Sequence, residues 1–174
     1  VCDSFSLAKA LDRMLDDPPE VLNLSLTGPE DELVGRLLRK AVAAGVVIVA
    51  SQPSGRTPVN SFPASMHGVI GVATSVDDGD AAIRERGARL FAPGEQIMVA
   101  VPDNQYDFRS GSSLAAAHVS GVIALILSVS PDETTQTLKG ILRQSQVDSG
   151  AALSVNAHVA IQLAHSAPSR AASH

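Results

Sequence analysis

Short apolar strands alternate with helical segments along this 174-residue chain, and this order constrains the fold more than any other feature. The runs predicted as strands are rich in β-branched residues, and they are VLNLSL (21–26), VVIVAS (46–51), VIGVATS (69–75) and ARLFA (88–92). Strands that are apolar on both faces and separated by helices are typical of a parallel sheet covered on both sides. The sequence therefore predicts an α/β fold.

The spacing of apolar residues predicts two amphipathic helices ahead of the second strand. The first helix carries Leu7, Leu11, Met14 and Leu15 and has Ser4 or Ser6 as its N-cap. The second covers about residues 30–44, and Gly45 stands where a left-handed C-terminal cap is expected.

The last third of the chain predicts further helices. The helix that starts near Ser113 is apolar on all sides and is expected to be buried almost all round. Ser130-Pro131-Asp132-Glu133 reads as a capping box, which predicts the next helix over about 132–143. A polar turn at 148–150 and a last helix near 155–164 follow, so residues 1–165 form one domain and 166–174 a polar tail.

Composition excludes several classes of protein. The chain is 45% apolar without a run of about 18 apolar residues, which argues against a membrane protein. The net charge of −5 leaves no basic surface for nucleic acid. The single cysteine, Cys2, rules out a disulfide within the chain and a multi-cysteine zinc site. We assign no metal site.

The segment SGSSLAAAHVSG (110–121) places serines at the start of the buried helix. Ser112 or Ser113 could be an N-cap, which is the commonest use of serine there. A serine at this place could also be a nucleophile, because the helix N-terminus stabilises the negative charge that develops on a substrate oxygen.

Seven segments together favour the nucleophile, because they resemble the subtilisin-like serine peptidases in family order. They are VLNLSLTGP (21–29), AVAAGVVIVAS (41–51), Phe62-Pro63-Ala64, GVIGVAT (68–74), FAPG (91–94), GSSLAAAHVSG (111–121) and GVIALILS (121–128). The resemblance implies the C-terminal half of a catalytic domain, with a three-layer α/β fold whose N-terminal part is missing. It also implies a serine endopeptidase that acts on peptides or proteins through an acyl-enzyme on Ser113.

The resemblance leaves the other catalytic residues outside this chain. Neither the family's Asp-Ser/Thr-Gly segment nor its His-Gly-Thr segment is present, so the base and acid are expected from a missing N-terminal half of the same domain. His118 lies about 140° round the helix from Ser113 and is interpreted as structural. The remaining histidines, 67, 158, 165 and 174, are expected to be solvated or packed. We expect the isolated chain to be inactive and to self-associate.

The resemblance also assigns binding residues. A substrate peptide would add as a strand along Ser25-Leu26-Thr27-Gly28, and Ala50, Ser51 and Gln52 would wall the first specificity pocket. Residues 21–28 could equally be only a core strand and its turn. Ser54, or Gln52 in its place, would supply the second oxyanion donor; the alternative is an ordinary turn, which Pro53 and Gly55 favour.

Two other functions stay open from the sequence. One is an α/β-hydrolase esterase, in which residues 111–115 approximate the G-x-S-x-G elbow and Asp148 and His158 follow in order. The other is an inactive subtilisin-like domain that binds peptides or scaffolds a partner; Ala117, where the family usually has proline, fits it. The family also suggests a secreted or cell-envelope location and allows calcium, for which no site can be read.

Overall fold

The computed structural model describes residues 3–52, 61–74, 90–148 and 153–166, and within them the chain forms five helices and eight strands. In chain order they are α1 (Ser4–Met14), β1 (Val21–Leu24), α2 (Glu32–Ala43), β2 (Val47–Ser51), β3 (Val69–Thr74), β4 (Leu90–Ala92), β5 (Ile97–Val101), β6 (Gln105–Arg109), α3 (Ser112–Val129), α4 (Thr135–Gln144), β7 (Gln146–Asp148), β8 (Leu153–Val155) and α5 (Ala157–Ser166).

The first four strands form one parallel sheet in the order β1-β2-β3-β4. Every residue of β2 and β4 is buried, which agrees with the uninterrupted apolar runs from which these strands are predicted. The four predicted strands and the parallel α/β architecture are therefore confirmed, except that residues 75, 88 and 89 lie outside the described part of the chain.

Helices cover both faces of this sheet and give three layers. On one face, α1 and α2 pack over Val46, Ile48 and Ala50, and on the other face α3 packs over Val47 and Val49, together with α4 and α5. Because successive side chains of a strand point to opposite faces, one five-residue strand contributes to both cores.

The two helices before β2 lie at their predicted positions, but the predicted N-cap of α1, Ser4 or Ser6, is wrong. Its N-cap is Asp3, which accepts a hydrogen bond from the Ser6 backbone N–H at 2.7 Å. This bond lowers the pKa of the Asp3 carboxyl. Gly45 has a φ of 90°, as its predicted role after α2 requires.

Burial of α3 is one-sided, so the expectation that it is buried almost all round is wrong for this chain. Seven of its residues are buried against the sheet, whereas Leu125 is 50% and Val129 43% exposed. By length and composition α3 could cross a membrane, and its seven buried residues belong to the core beneath the sheet.

The predicted start of α4 is also wrong. Its N-cap is Thr134, whose hydroxyl accepts a hydrogen bond from the Thr137 N–H, and the proposed box at Ser130–Glu133 forms a turn instead. The last helix confirms its prediction to within two residues at each end. Residues 149–152 and the tail from 167 onward lie outside the described part.

The antiparallel hairpin β5–β6 leads into α3 and was not predicted. Its pairing puts Met98 opposite Phe108 and Ala100 opposite Tyr106 on one solvent-facing side. Its last residue, Arg109, is separated from α3 by only two residues. The hairpin thus delivers the chain directly to the Ser113 segment.

Candidate active site

Ser113 is the second residue of α3, and the helix starts without a side-chain cap. The N-cap is Gly111, and no side chain in the described part of the chain hydrogen bonds to the cap position. The interpretation of Ser112 or Ser113 as the N-cap is therefore wrong. The first N–H groups of a helix carry partial positive charge, so this end of α3 is suited to a negatively charged oxygen.

Two glycines position the start of α3 against the end of β4. The Gly111 N–H donates to the Gly94 carbonyl at 2.7 Å. A Cβ atom on Gly94 would lie 2.5 Å from Thr74 Cγ2 and 2.9 Å from the Gly111 carbonyl oxygen. Only glycine at position 94 permits this close approach, which holds the beginning of the helix in place.

Ser113 and Ser25 face each other across the site. The Ser25 hydroxyl donates to the Ser113 carbonyl at 3.1 Å, and the Ser113 hydroxyl donates to the Ser25 carbonyl at 3.4 Å. The second bond is long and therefore weak. Because Ser113 is also exposed, its hydroxyl is accessible for reaction.

A hydrogen-bond chain behind Ser25 was not predicted from the sequence. The Asn23 side-chain amide donates to the Ser25 hydroxyl at 2.9 Å. The Ser120 hydroxyl has two acceptors, the Ala116 carbonyl at 2.9 Å and Asn23 Oδ1 at 3.2 Å. Two signals could have found it: Asn23 is a polar residue inside an apolar strand, and Ser120 lies two helical turns after Ser113. The chain ties β1 to α3 at the site.

The histidines of the described residues do not provide a base for Ser113. His118 Nδ1 lies 3.0 Å from the Leu114 carbonyl oxygen on its own helix, which agrees with a structural role. His158 and His165 also bond within their own helix. His67 lies in an exposed loop and has no hydrogen bond to Ser113. His174 lies outside the described part of the chain.

The predicted peptide-binding segment lies beside the end of β2. Ser51 is buried, with its hydroxyl 3.5 Å from the Leu26 carbonyl, and the Gly28 N–H donates to the Phe62 carbonyl at 3.0 Å. Thr27 is exposed. Ala50, in contrast, is fully buried in the core under α1 and α2, so its side chain does not wall an open pocket.

The two predicted oxyanion donors are placed differently. Ser54 lies among residues 53–60, outside the described part of the chain. Gln52 Oε1 is buried, and Gln52 lines a cavity together with Gly71, whereas Ser113 does not line that cavity. The backbone N–H of Ser113 lies in the first turn of α3 and belongs to the positively charged end of that helix.

Comparison with known proteins fits this arrangement. The family model of the Subtilase family (Peptidase_S8) matches residues 2–160, which is most of the chain. The chain belongs to the subtilase family. Its parallel α/β fold agrees with this membership, and its curated relatives include subtilisins. The esterase alternative is not supported, since the strand before Ser113 is an exposed hairpin strand rather than a buried one.

Curated relatives show the same relationship at the level of sequence. Subtilisin-like protease 11 of Trichophyton verrucosum is 34% identical over 134 residues, which is 71% of this subtilase chain and 34% of the relative. Subtilisin DY of Bacillus licheniformis is 33% identical over 139 residues, with 75% and 51% covered. Subtilisin E of Bacillus subtilis is 32% identical over 134 residues, with 72% and 35% covered. The chain thus spans about a third to a half of the length of these relatives.

Solved structures show the same fold. The self-cleaved protease domain of PatA matches 94% of the subtilase chain with a TM-score of 0.75 and 25% identity, and 68% of that domain is covered. The prenylagaramide maturation protease PagA has a TM-score of 0.74 at 23% identity, with the same coverage of both chains. The subtilisin-like α/β fold is therefore confirmed.

Proposed function

We propose that this chain is the nucleophile-bearing part of a subtilisin-type serine endopeptidase, with Ser113 as the nucleophile. One observation carries the proposal. In a chain of the subtilase family, an exposed serine hydroxyl stands at the uncapped N-terminus of a helix whose inner face is buried in the core. Exposure makes the hydroxyl available, and burial of the helix keeps it in a fixed position.

The reaction follows from this geometry. The Ser113 Oγ attacks the carbonyl carbon of a peptide bond, and the hydroxyl proton passes to a base. The negative charge on the carbonyl oxygen is stabilised by the Ser113 N–H and the positive end of α3. Cleavage of the C–N bond releases an amine that takes up the proton, and water then hydrolyses the acyl-enzyme ester.

The base and its orienting acid are proposed to be a histidine and an aspartate from a polypeptide segment outside this chain. We expect that segment at the open edge of β1, because Asn23 lies in β1 and Ser25 directly follows this strand. A strand added there would bury the exposed Asn23 side and lie beside Ser113. By the same reasoning we expect the chain alone to be inactive and to associate with itself through this edge.

Substrates are proposed to be peptides or proteins that bind in extended form along Ser25, Leu26 and Thr27. The Gly28 N–H already bonds to the Phe62 carbonyl, so the strand available to a substrate ends before it. Main-chain hydrogen bonds along such a segment hold many sequences in one pose, as an endopeptidase requires. A secreted or cell-envelope location stays a prediction from the resemblance.

The test is hydrolysis of a fluorogenic peptide by this chain alone and by a longer polypeptide in which a segment with the family's His and Asp motifs precedes it. We expect turnover only in the longer form. Ser113→Ala should abolish that turnover, whereas Ser112→Ala, its neighbour in the same turn, should retain most of it. Turnover that survives Ser113→Ala would refute the assignment.

A second candidate is an inactive subtilisin-like domain that binds peptides. It is favoured by Gln52, a predicted oxyanion donor, which lines a cavity that Ser113 does not line. The same longer polypeptide separates the two candidates. Peptide binding that is saturable and accompanied by no cleavage would establish the second function.

A further inference from the structure

The first turn of α3 is held to the residue that follows β1 by side-chain hydrogen bonds. Within the described residues no side chain caps this helix, so its first turn lacks the bond that usually fixes a helix start. Ser25 contacts the turn through its two reciprocal bonds with Ser113. The shorter bond runs from the Ser25 hydroxyl to the Ser113 carbonyl at 3.1 Å, so the direction of that hydroxyl matters for the nucleophile.

Asn23 determines where the Ser25 hydroxyl points. The Asn23 side-chain amide donates to Ser25 Oγ at 2.9 Å. A hydroxyl oxygen that accepts this bond keeps its own proton for another acceptor, which here is the Ser113 carbonyl. Ser25 is exposed, so without the amide its hydroxyl would be free to rotate toward water. The amide of Asn23 therefore selects the direction in which the Ser25 hydroxyl reaches α3.

Ser120 orients the other end of the Asn23 amide. The Ser120 hydroxyl proton is shared between the Ala116 carbonyl at 2.9 Å and Asn23 Oδ1 at 3.2 Å. An amide whose oxygen accepts from Ser120 presents its NH2 group to Ser25. Because the shorter bond goes to Ala116, we expect a smaller contribution from Ser120 than from Asn23. The hydrogen-bond chain thus leaves α3 at Ser120, crosses to β1 at Asn23 and returns to α3 at Ser113.

We propose that Asn23 is a positioning residue for the reaction at Ser113, an inference that rests on the proposed function of Ser113 as the nucleophile. Asn23 bonds to Ser25 and Ser120 and, among the residues that the structure describes, not to Ser113 itself. Its amide keeps the Ser25 hydroxyl on the Ser113 carbonyl, which holds the first turn of α3 and the Ser113 Oγ in place. Such control matters, because a displacement of about 1 Å can cost on the order of 10² in rate.

This role predicts a loss in kcat rather than in substrate binding. The backbone of β1 is held by its ladder with β2, in which Asn23 pairs with Val49 through main-chain groups. Removal of the Asn23 side chain therefore leaves the strand and the proposed substrate-binding segment 25–27 in place. Asn23 is also exposed, so its substitution opens no cavity in the core. The nucleophile loses its orientation, whereas the groups that hold the peptide do not.

The kinetic test uses the longer polypeptide that carries the family's His and Asp motifs and a fluorogenic peptide substrate. We expect Asn23→Ala to lower kcat about five- to tenfold and to leave KM within about twofold. Ser120→Ala should lower kcat about two- to threefold, and Ser120→Thr, which restores the hydroxyl, should recover most of that loss. Ser128→Ala is the matched control, because this exposed serine of α3 donates only to the Leu125 carbonyl, and its kcat should equal that of the unaltered polypeptide.

A spectroscopic test uses this chain alone and does not depend on turnover. The carbonyl ¹³C chemical shift of Ser113 responds to the hydrogen bond from Ser25. It should change in Asn23→Ala and stay the same in Ser128→Ala. An unchanged Ser113 resonance in Asn23→Ala would overturn the positioning role, whatever the activity of the longer polypeptide.

A double-mutant cycle distinguishes one connected chain from two independent structural losses. In the Asn23→Ala background, Ser120→Ala should lower kcat no further, because its partner on β1 is already gone. Additive losses, or a rise in KM in place of the fall in kcat, would overturn the role of Asn23. Ser113→Ala tests the proposed function separately. Turnover that survives Ser113→Ala refutes the nucleophile, whereas its loss there together with full turnover in Asn23→Ala refutes only the positioning role.

Discussion

The two edges of the parallel sheet are built differently. At the β4 edge all three strand residues are buried, and the Phe91 N–H donates to the Gln146 side chain at 2.8 Å, which ties the β7–β8 hairpin to this strand. At the β1 edge Val21 and Leu22 are half-buried and Asn23 is exposed, and within the described ranges β1 pairs with β2 alone. One edge is covered by the chain's own structure and the other is open.

The difference shows which edge of the sheet this chain covers by itself and which edge it leaves open to another strand. An open strand edge offers backbone groups that pair readily with another strand, and proteins usually cover or interrupt such edges. Here the open edge coincides with the hydrogen-bond chain from Asn23 through Ser25 to Ser113. The site of proposed chemistry is therefore at the uncovered side of the fold, where a further segment could reach it.

The largest expected effect lies under the covered edge. Leu142 of α4 is fully buried in the cluster that contains Leu90 and Ala92 of β4. Leu142→Ala should lower the free energy of unfolding by about 2–5 kcal/mol, the usual range for such a cavity. Leu22→Ala at the open edge should cost less, because Leu22 is only half-buried. Urea denaturation measures both, and a larger loss in Leu22→Ala would contradict the contrast between the edges.

The next effect concerns the contact that joins the covered edge to α3. Gly94→Ala would place a Cβ 2.5 Å from Thr74 Cγ2, so the loop must shift. We expect a loss of about 1–3 kcal/mol, typical of overpacking. Gly121→Ala is a suitable comparison, because a Cβ there meets nothing within 4 Å. Thermal denaturation measures the stability of both variants, and an equal loss of stability in the two would contradict this account.

Hydrogen exchange compares the edges without a mutation. Amides of β4 should exchange more slowly than those of β1, since the former strand is covered and the latter is open. Mass spectrometry of peptic fragments that include residues 21–24 and 90–92 measures this directly. Equal protection of the two segments in monomeric protein would remove the basis of the comparison.

The smallest expected effect is a pH dependence of the protein's stability, and it arises at the N-terminus of α2. The Asp31 carboxylate caps α2 by accepting from the Val34 N–H at 3.0 Å, and this bond lowers its pKa below the usual 3.8. A lowered pKa contributes stability that is full above the unfolded value and is lost as the pH falls through the folded value. Stability should thus decrease below about pH 4. In Asp31→Asn, which keeps a neutral cap, circular dichroism melts between pH 5 and 2.5 should show a smaller decrease.

The sequence predicted the buried sheet well because both faces of its strands are apolar. In β2 every residue from Val47 to Ser51 is buried, and such a run leaves little choice of structure. The hairpin β5–β6 escaped prediction because its second strand is exposed throughout and reads as a polar loop. A signal was nevertheless present in the three residues between the paired Val101 and Gln105: Asp103 and Asn104 are residue types that tolerate the left-handed conformation of turns, and their φ angles are 64° and 58°.

The candidate site was predictable only as far as it is local. Ser113 could be placed at a helix start from its neighbours in sequence. The partnership of Asn23 with Ser120 depends on contact between β1 and α3, which are nearly a hundred positions apart and carry no shared local pattern. The Gln52 side chain likewise lies close to Gly71 of β3, and no local pattern in the sequence predicts that contact.

The most direct test of the central claim is covalent labelling of Ser113 by a fluorophosphonate, located by mass spectrometry. An activated serine displaces fluoride from the probe, and an unactivated one does not. Labelling should occur at Ser113 when a segment with the family's His and Asp motifs precedes this chain in one polypeptide. It should be absent in the isolated chain and in Ser113→Ala. Label on another serine, or none in the longer polypeptide once it is shown to be folded, would contradict Ser113 as the nucleophile.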